Sequence, residues 1–204
     1  MEPVSPAGES RAGDGQTSRA LEGQLREMYG RAAYTHKAHQ KMADDYVARY
    51  KCIKLLEIGL SAATASSLLF AVFGDKPVGT LVGAVLSAVL LGFTLYFKEA
   101  SLGEQAQLHT EVGAKLWGVR EALLSLLVDL QDGRSADGIR EERDRLNGVL
   151  EVIYKNAPRT DAKAYGAAQK ALKEAEELFF TDEELNKMLP KQLRKSDGRR
   201  ADSQ

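Results

Sequence analysis

The sequence predicts an all-α membrane protein: a two-helix transmembrane hairpin flanked by cytoplasmic helices. Three observations carry this. Two long uncharged runs lie almost end to end, basic residues gather outside them, and apolar residues recur at helical spacing on both sides. The runs are Ile58–Gly74 and Pro77–Phe97, separated only by Asp75 and Lys76. At about 1.5 Å of rise per residue the second spans roughly 31 Å and the first roughly 25 Å. A bilayer's hydrocarbon core is about 30 Å thick. Leu55 and Leu56 extend the first run below Glu57, whose carboxylate can reach the headgroups, giving membrane helices over about 55–74 and 77–97. Gly74-Asp-Lys-Pro77 reads as a tight turn, with glycine ending one helix and proline starting the next. Two such cylinders buried in a soluble protein would need covering helices that a 204-residue chain does not supply.

Small residues mark packing faces. Gly59, Ala63, Ser67 and Ala71 recur every four residues on the first membrane helix, as Gly79, Gly83 and Ser87 do on the second. Ala84, Ala88 and Gly92 form a neighbouring stripe. In lipid, close backbone approach drives helix association. One stripe per helix suffices to zip the hairpin, and the extra one is left for another copy, so these ten residues are the helix-packing or pore-lining candidates. The plainer reading is that small residues are common in membrane helices. Neither run holds an ionisable residue, which argues against a proton relay, a voltage sensor or an ion-coupled transporter. Two helices cannot enclose a pore, so conduction would need several copies lined by hydroxyls such as Ser61, Thr64, Ser66, Thr80 and Thr94.

Orientation follows from the flanks. Lys37, Lys41, Arg49, Lys51 and Lys54 precede the hairpin, and Lys98 and Lys115 follow it, whereas the turn has only Lys76. Both termini are therefore expected in the cytoplasm, with the protein crossing the membrane twice. The remaining chain is highly charged, and the mean hydropathy of −0.32 conceals the hairpin. A net charge of −1 gives no electrostatic case for nucleic acid. The single cysteine excludes an internal disulfide framework. Cys52 lies just before the membrane in KCIK, as a small apolar helix residue or a palmitoylation site.

Residues 1–17 hold few bulky apolar side chains and are expected to be disordered, without a cleavable signal. A helix over 18–57 follows, with Ser18 as N-cap and Leu21, Leu25, Met28, Ala32, Met42, Tyr46 and Ile53 inward. It is expected to run into the first membrane helix, with Tyr46 and Tyr50 at headgroup level. His36 and His39 share a helical face, but no cysteine or acidic cluster completes a metal site, and none is expected. His109 stands alone and is assigned no chemistry.

The second membrane helix is expected to continue through 98–130. Leu108, Val112, Leu116, Val119, Leu123, Leu127 and Leu130 form its stripe, broadened by Leu124, Leu126 and Val128. Trp117 reads as core, with Lys115, Arg120 and Glu121 off the stripe. Gln131–Gly138 is a turn. Helices follow over 139–156, with Ile139, Leu146, Val149, Leu150 and Ile153 inward, over 161–180, capped by Thr160 or Asp161, and over 182–189, where Thr181 to Glu184 forms a capping box. Residues 194–204 read as a disordered basic tail that could touch anionic lipid. No phosphate loop, HExxH, paired-cysteine site or nucleophile–base spacing suggests an enzyme or a cofactor.

The stretch LHTEVGAKLWGVREALLSLL after the hairpin, with NAPRTDAKAYGAAQKAL and FTDEELNKMLPKQL near the end, resembles the SLATT family, the SMODS- and SLOG-associating two-transmembrane effectors. The likeness covers most of Leu21 to Leu193, so residues 18–193 read as one SLATT-like domain. The resemblance implies a non-enzymatic membrane effector of a prokaryotic anti-phage or conflict system, homo-oligomeric and pore-forming. A nucleotide-second-messenger synthase or sensor protein would be its trigger. The family carries no catalytic motif to transfer. This chain has no synthase or sensor domain of its own, so the trigger would come from a separate protein or a diffusible ligand. The alternative is a membrane-anchored helical scaffold without pore activity.

Overall fold

The computed structural model describes residues 7–74 and 77–195, and every regular element within them is a helix. α1 is a single helix over Ala7–Gly74, 68 residues long. No proline occurs between Pro6 and Pro77, so nothing in the chain forces α1 to stop. Its backbone is helical from Ala7, so residues 7–17, expected to be disordered, and Ser18, expected at the helix start, lie within the helix. Once a helix is nucleated each further residue adds a hydrogen bond at little cost, which favours extension over fraying at an interior serine. Residues 1–6, the Asp75-Lys76 turn and the tail from 196 lie outside the described residues.

α2 spans Pro77–Glu99, starting at the proline as expected. It does not continue into the next helix. Ser101 takes the left-handed conformation (φ 45, ψ 37), and α3 starts afresh over Leu102–Gln131. A left-handed non-glycine residue costs about 1–2 kcal/mol, and here it redirects the chain between the membrane helix and the bundle. α3 ends where Gly133 (φ 88) reverses the chain. α4 covers Ala136–Asn156, starting earlier than expected because Ser135 accepts from the Gly138 amide as its N-cap.

α1 and α3 form the main pair. α2 packs on the C-terminal part of α1, α5 on α1, and α4 on α3. Leu21, Leu25, Met28 and Ala32 of α1 meet Val112, Leu116, Val119, Leu123 and Leu126 of α3, and α4 adds Ile139, Leu146, Leu150 and Ile153. The buried stripe of α3 therefore passes through Leu126, with Leu127 and Leu130 only partly buried and Leu108, Leu124 and Val128 exposed. Val149 of α4 is also more exposed than its spacing suggested. Arg120, placed off the apolar stripe, is nonetheless buried: its guanidinium stacks on Trp117 at 4.2 Å and its Nε donates to the Tyr29 hydroxyl at 3.3 Å. Trp117, read as core from the sequence, is instead exposed at 42%, its ring covered on one side by that arginine.

α5 occupies Ala162–Lys173, with Asp161 accepting from the Ala164 amide. It stops well short of Phe180, because the chain turns through a left-handed Glu176 (φ 48). Glu177 in that turn pairs with Lys37 and Lys41 of α1, so the bend is anchored by charge. These two lysines hold the Glu177 carboxyl below its usual range. α6, Asp182–Met188, carries the full capping box between Thr181 and Glu184. Lys191–Leu193 forms a last 3-10 turn, and Arg194 and Lys195 fold back on α6 through the Leu189 carbonyl and Asp182.

Candidate functional site: the hairpin and its histidine seat

The windows of highest mean hydropathy, 1.7 in α1 and 2.2 in the segment beginning at Val78, are only 6% and 11% buried by protein. The core helix of a soluble protein would be mostly covered. Uncovered apolar helices of this length are suited to lipid.

The two membrane helices meet along a seam of Glu57, Leu60, Thr64, Ser67 and Ala71 on α1 and Gly79, Gly83, Leu86, Leu90 and Thr94 on α2. Its steps are three or four residues, as in left-handed helix pairs. A strict four-residue repeat drifts about 40° per step around a helix of 3.6 residues per turn. That drift is why Ser67 and Ala71 lie at the seam while Gly59 and Ala63 are exposed. A Cβ added to Gly79 would lie 3.0 Å from the Ala71 backbone, and one on Gly83 would lie 2.9 Å from the Ser67 hydroxyl and the Leu68 side chain. Gly79 is required by the approach of the Ala71 backbone, whereas at Gly83 the neighbours are the ends of side chains. Ser87, Ala84, Ala88 and Gly92 lie outside the seam and are exposed.

Hydroxyls on α1 donate back to their own helix, Ser61 to the Glu57 carbonyl, Thr64 to Leu60 and Ser66 to Ala62. Their polarity is therefore satisfied without water. At the bundle end of the seam, Thr94 donates to Glu57 at 2.9 Å while Lys54 pairs with the other carboxylate oxygen at 2.8 Å. Below this clamp a cavity of about 370 Å³ is lined by Tyr50, Phe93, Phe97, Lys98 and Ser101.

About three turns of α1 further into the bundle, the chain's three histidines come together, although 70 residues separate His39 from His109. All three are buried. The Nδ1 atoms of His39 and His109 are 2.8 Å apart, so one must donate and the other accept. His36 donates from Nδ1 to the Gly113 carbonyl at 2.8 Å, leaving its buried Nε2 without a partner. Tyr46, placed inward by its spacing, stacks on His109 with ring centres 5.6 Å apart. Burial lowers the pKa of all three, with that of His39 brought down to about 4 with help from its histidine neighbours. The carboxylate of Asp161 opposes this at His109, and Lys37 and Arg120 reinforce it at His36. Sequence spacing placed His36 and His39 on one face, but nothing in it set the register with His109. Among the described residues no three His, Cys, Asp or Glu side chains converge as a metal site.

Residues 21–184 match the model of the SMODS and SLOG-associating 2TM effector domain family 4. The chain belongs to the SLATT family. The matched region begins at Leu21, the first buried residue of the core, and ends at Glu184 of the α6 capping box. The SLATT domain thus includes the hairpin, the histidines and the α3–α4 layer, all on an all-helical frame. It is an effector domain, not a member of a known enzyme family. No curated protein and no solved structure matches the chain.

Proposed function

We propose that the protein acts as the membrane-damaging arm of a prokaryotic conflict system, with no catalysis of its own. Several copies associate in the inner membrane. A nucleotide second messenger, or the synthase or sensor protein that handles it, acts on the helices outside the membrane and makes the assembly permeable. The observation that carries this reading is the division of α2. Its Gly79–Gly83 side is taken up by α1, and its Ala84–Ala88–Gly92 side, with Ser87, is uncovered and smooth enough for a second copy. The uncharged interior suits a dormant hairpin that conducts nothing alone. Inducible expression with and without cyclic oligonucleotides, read by dye entry and membrane potential, tests it. Depolarisation on triggering is expected.

The α3–α4 layer favours a second reading. An open groove of about 800 Å³ runs between these helices, floored by Val112, Val119 and Ile153 and edged by Lys115 and Arg145. A scaffold would use such a groove to dock a partner, with the hairpin as a tether. Absence of depolarisation under every trigger, with partner binding intact, assigns the protein to this class.

The orientation puts both termini in the cytoplasm, on the excess of lysine and arginine outside the hairpin. Single cysteines replacing Asp75 or Glu104 in a Cys52→Ser background should differ on intact cells. A membrane-impermeant thiol reagent is expected to label position 75 and spare 104, and the reverse pattern inverts the topology.

A further inference from the structure

We propose that His36, His39 and His109 form an acid-released latch that holds α1 against α3 near neutral pH and lets them part as pH falls toward 5. The inference concerns the bundle alone and stands whether or not the hairpin conducts. The bridge between His39 and His109 works with one ring donating from Nδ1 and the other accepting there. A first added proton goes to the outer nitrogen of the donating ring and places a cation in a buried layer. A second must go on the accepting Nδ1, which breaks the bridge and sets two cations face to face, with ring centres 4.9 Å apart. At His36 the free Nε2 is the only place for a proton, and there it would become a buried donor with no acceptor.

The charged surroundings do not compensate. From α1, Lys37 lies beside His36 and is already paired with Glu177. From α3, Arg120 sits on the Trp117 ring that His36 also touches, 5.4 Å between ring centres. From the α5 cap, Asp161 favours a proton at His109, its side chain already engaged with the Ala164 amide, and at His36 the Gly113 carbonyl favours one by accepting from Nδ1, against the larger cost of burial. Tyr46 adds an aromatic face and no charge. Released into water, each imidazole regains an ordinary pKa near 6.5. The open state therefore binds more protons, so stability is complete above about pH 6.5 and falls as pH drops below it. Each histidine shifts the opening equilibrium by at most about tenfold per pH unit.

The full chain in detergent micelles or nanodiscs tests this by hydrogen exchange of α1 and α3 between pH 7.5 and 5, corrected for intrinsic rates. Emission of Trp117, the only tryptophan, provides a second signal. Loss of protection with a midpoint between pH 5 and 6.5 is expected in the wild type, and a flattened profile in the His39→Gln/His109→Gln pair and in His36→Gln. Constant protection across the range, or the same profile in the variants, overturns the latch. Should the variants not fold, NMR titration of the wild type decides. The three imidazoles should stay neutral until the bundle opens, and any one of them titrating near pH 6.5 in a still-protected bundle overturns it.

Discussion

Leu116→Ala is expected to destabilise the bundle by about 3 kcal/mol, the usual range for emptying a fully enclosed leucine site. Leu116 is 0% exposed and sits in the core shared by α1, α3 and α4. Neither long helix can collapse into the space without breaking contacts further along the same pair, so the cavity term should be large. Thermal unfolding followed by circular dichroism in detergent provides the measurement. Leu124→Ala, on the same helix but 42% exposed, should stay within about 0.5 kcal/mol of the wild type. Equal effects at the two positions would mean that α3 does not present the face described here to α1.

Gly83→Leu is expected to force the hairpin apart. Even the first carbon of the new side chain would fall 2.9 Å from Ser67 and Leu68, and overpacking of this kind costs about 1–3 kcal/mol. Cysteine cross-linking between α1 and α2 should fall sharply while the protein still inserts. Ala88→Leu places the same bulk on the uncovered side of α2. It should leave the hairpin cross-link intact and lose cross-linked oligomers. The contrast separates packing within a copy from packing between copies. If both variants keep wild-type oligomers, self-association runs through the helices outside the membrane.

Features decided within one or two helical turns could be read from the sequence. The length and lack of charge of the two runs, proline at the start of α2, Asp161 at the α5 cap and the Thr181–Glu184 box all depend on neighbours close in the chain. The SLATT likeness was also legible, because it rests on contiguous phrases. Features that depend on the register between helices were not. The burial of Arg120, off the apolar stripe, needs Tyr29 from α1 as well as Trp117. The histidine layer needs residues 36 and 39 to meet 109 at one level of the α1–α3 pair. The joint at Ser101 had no glycine or proline at that position to announce it, and the early stop of α5 turns on Glu176, a good helix former held left-handed by its context. The hairpin seam shows the same limit in miniature: the small residues were visible, but which of them face α1 depends on how the helices cross.

The length of α1 has a mechanical consequence. His39 and Ser67 lie on one unbroken backbone, about 42 Å apart along its axis. A continuous helix has a single rotational setting, so any roll that draws His39 away from His109 turns Thr64 and Ser67 through the same angle against α2. On the return path Ala100 and Ser101 interrupt the helix, and a roll of α3 spends itself at that swivel. One limb of the hairpin is a continuous shaft and the other is jointed at Ser101, so a parting of His39 from His109 would be passed toward the lipid through α1.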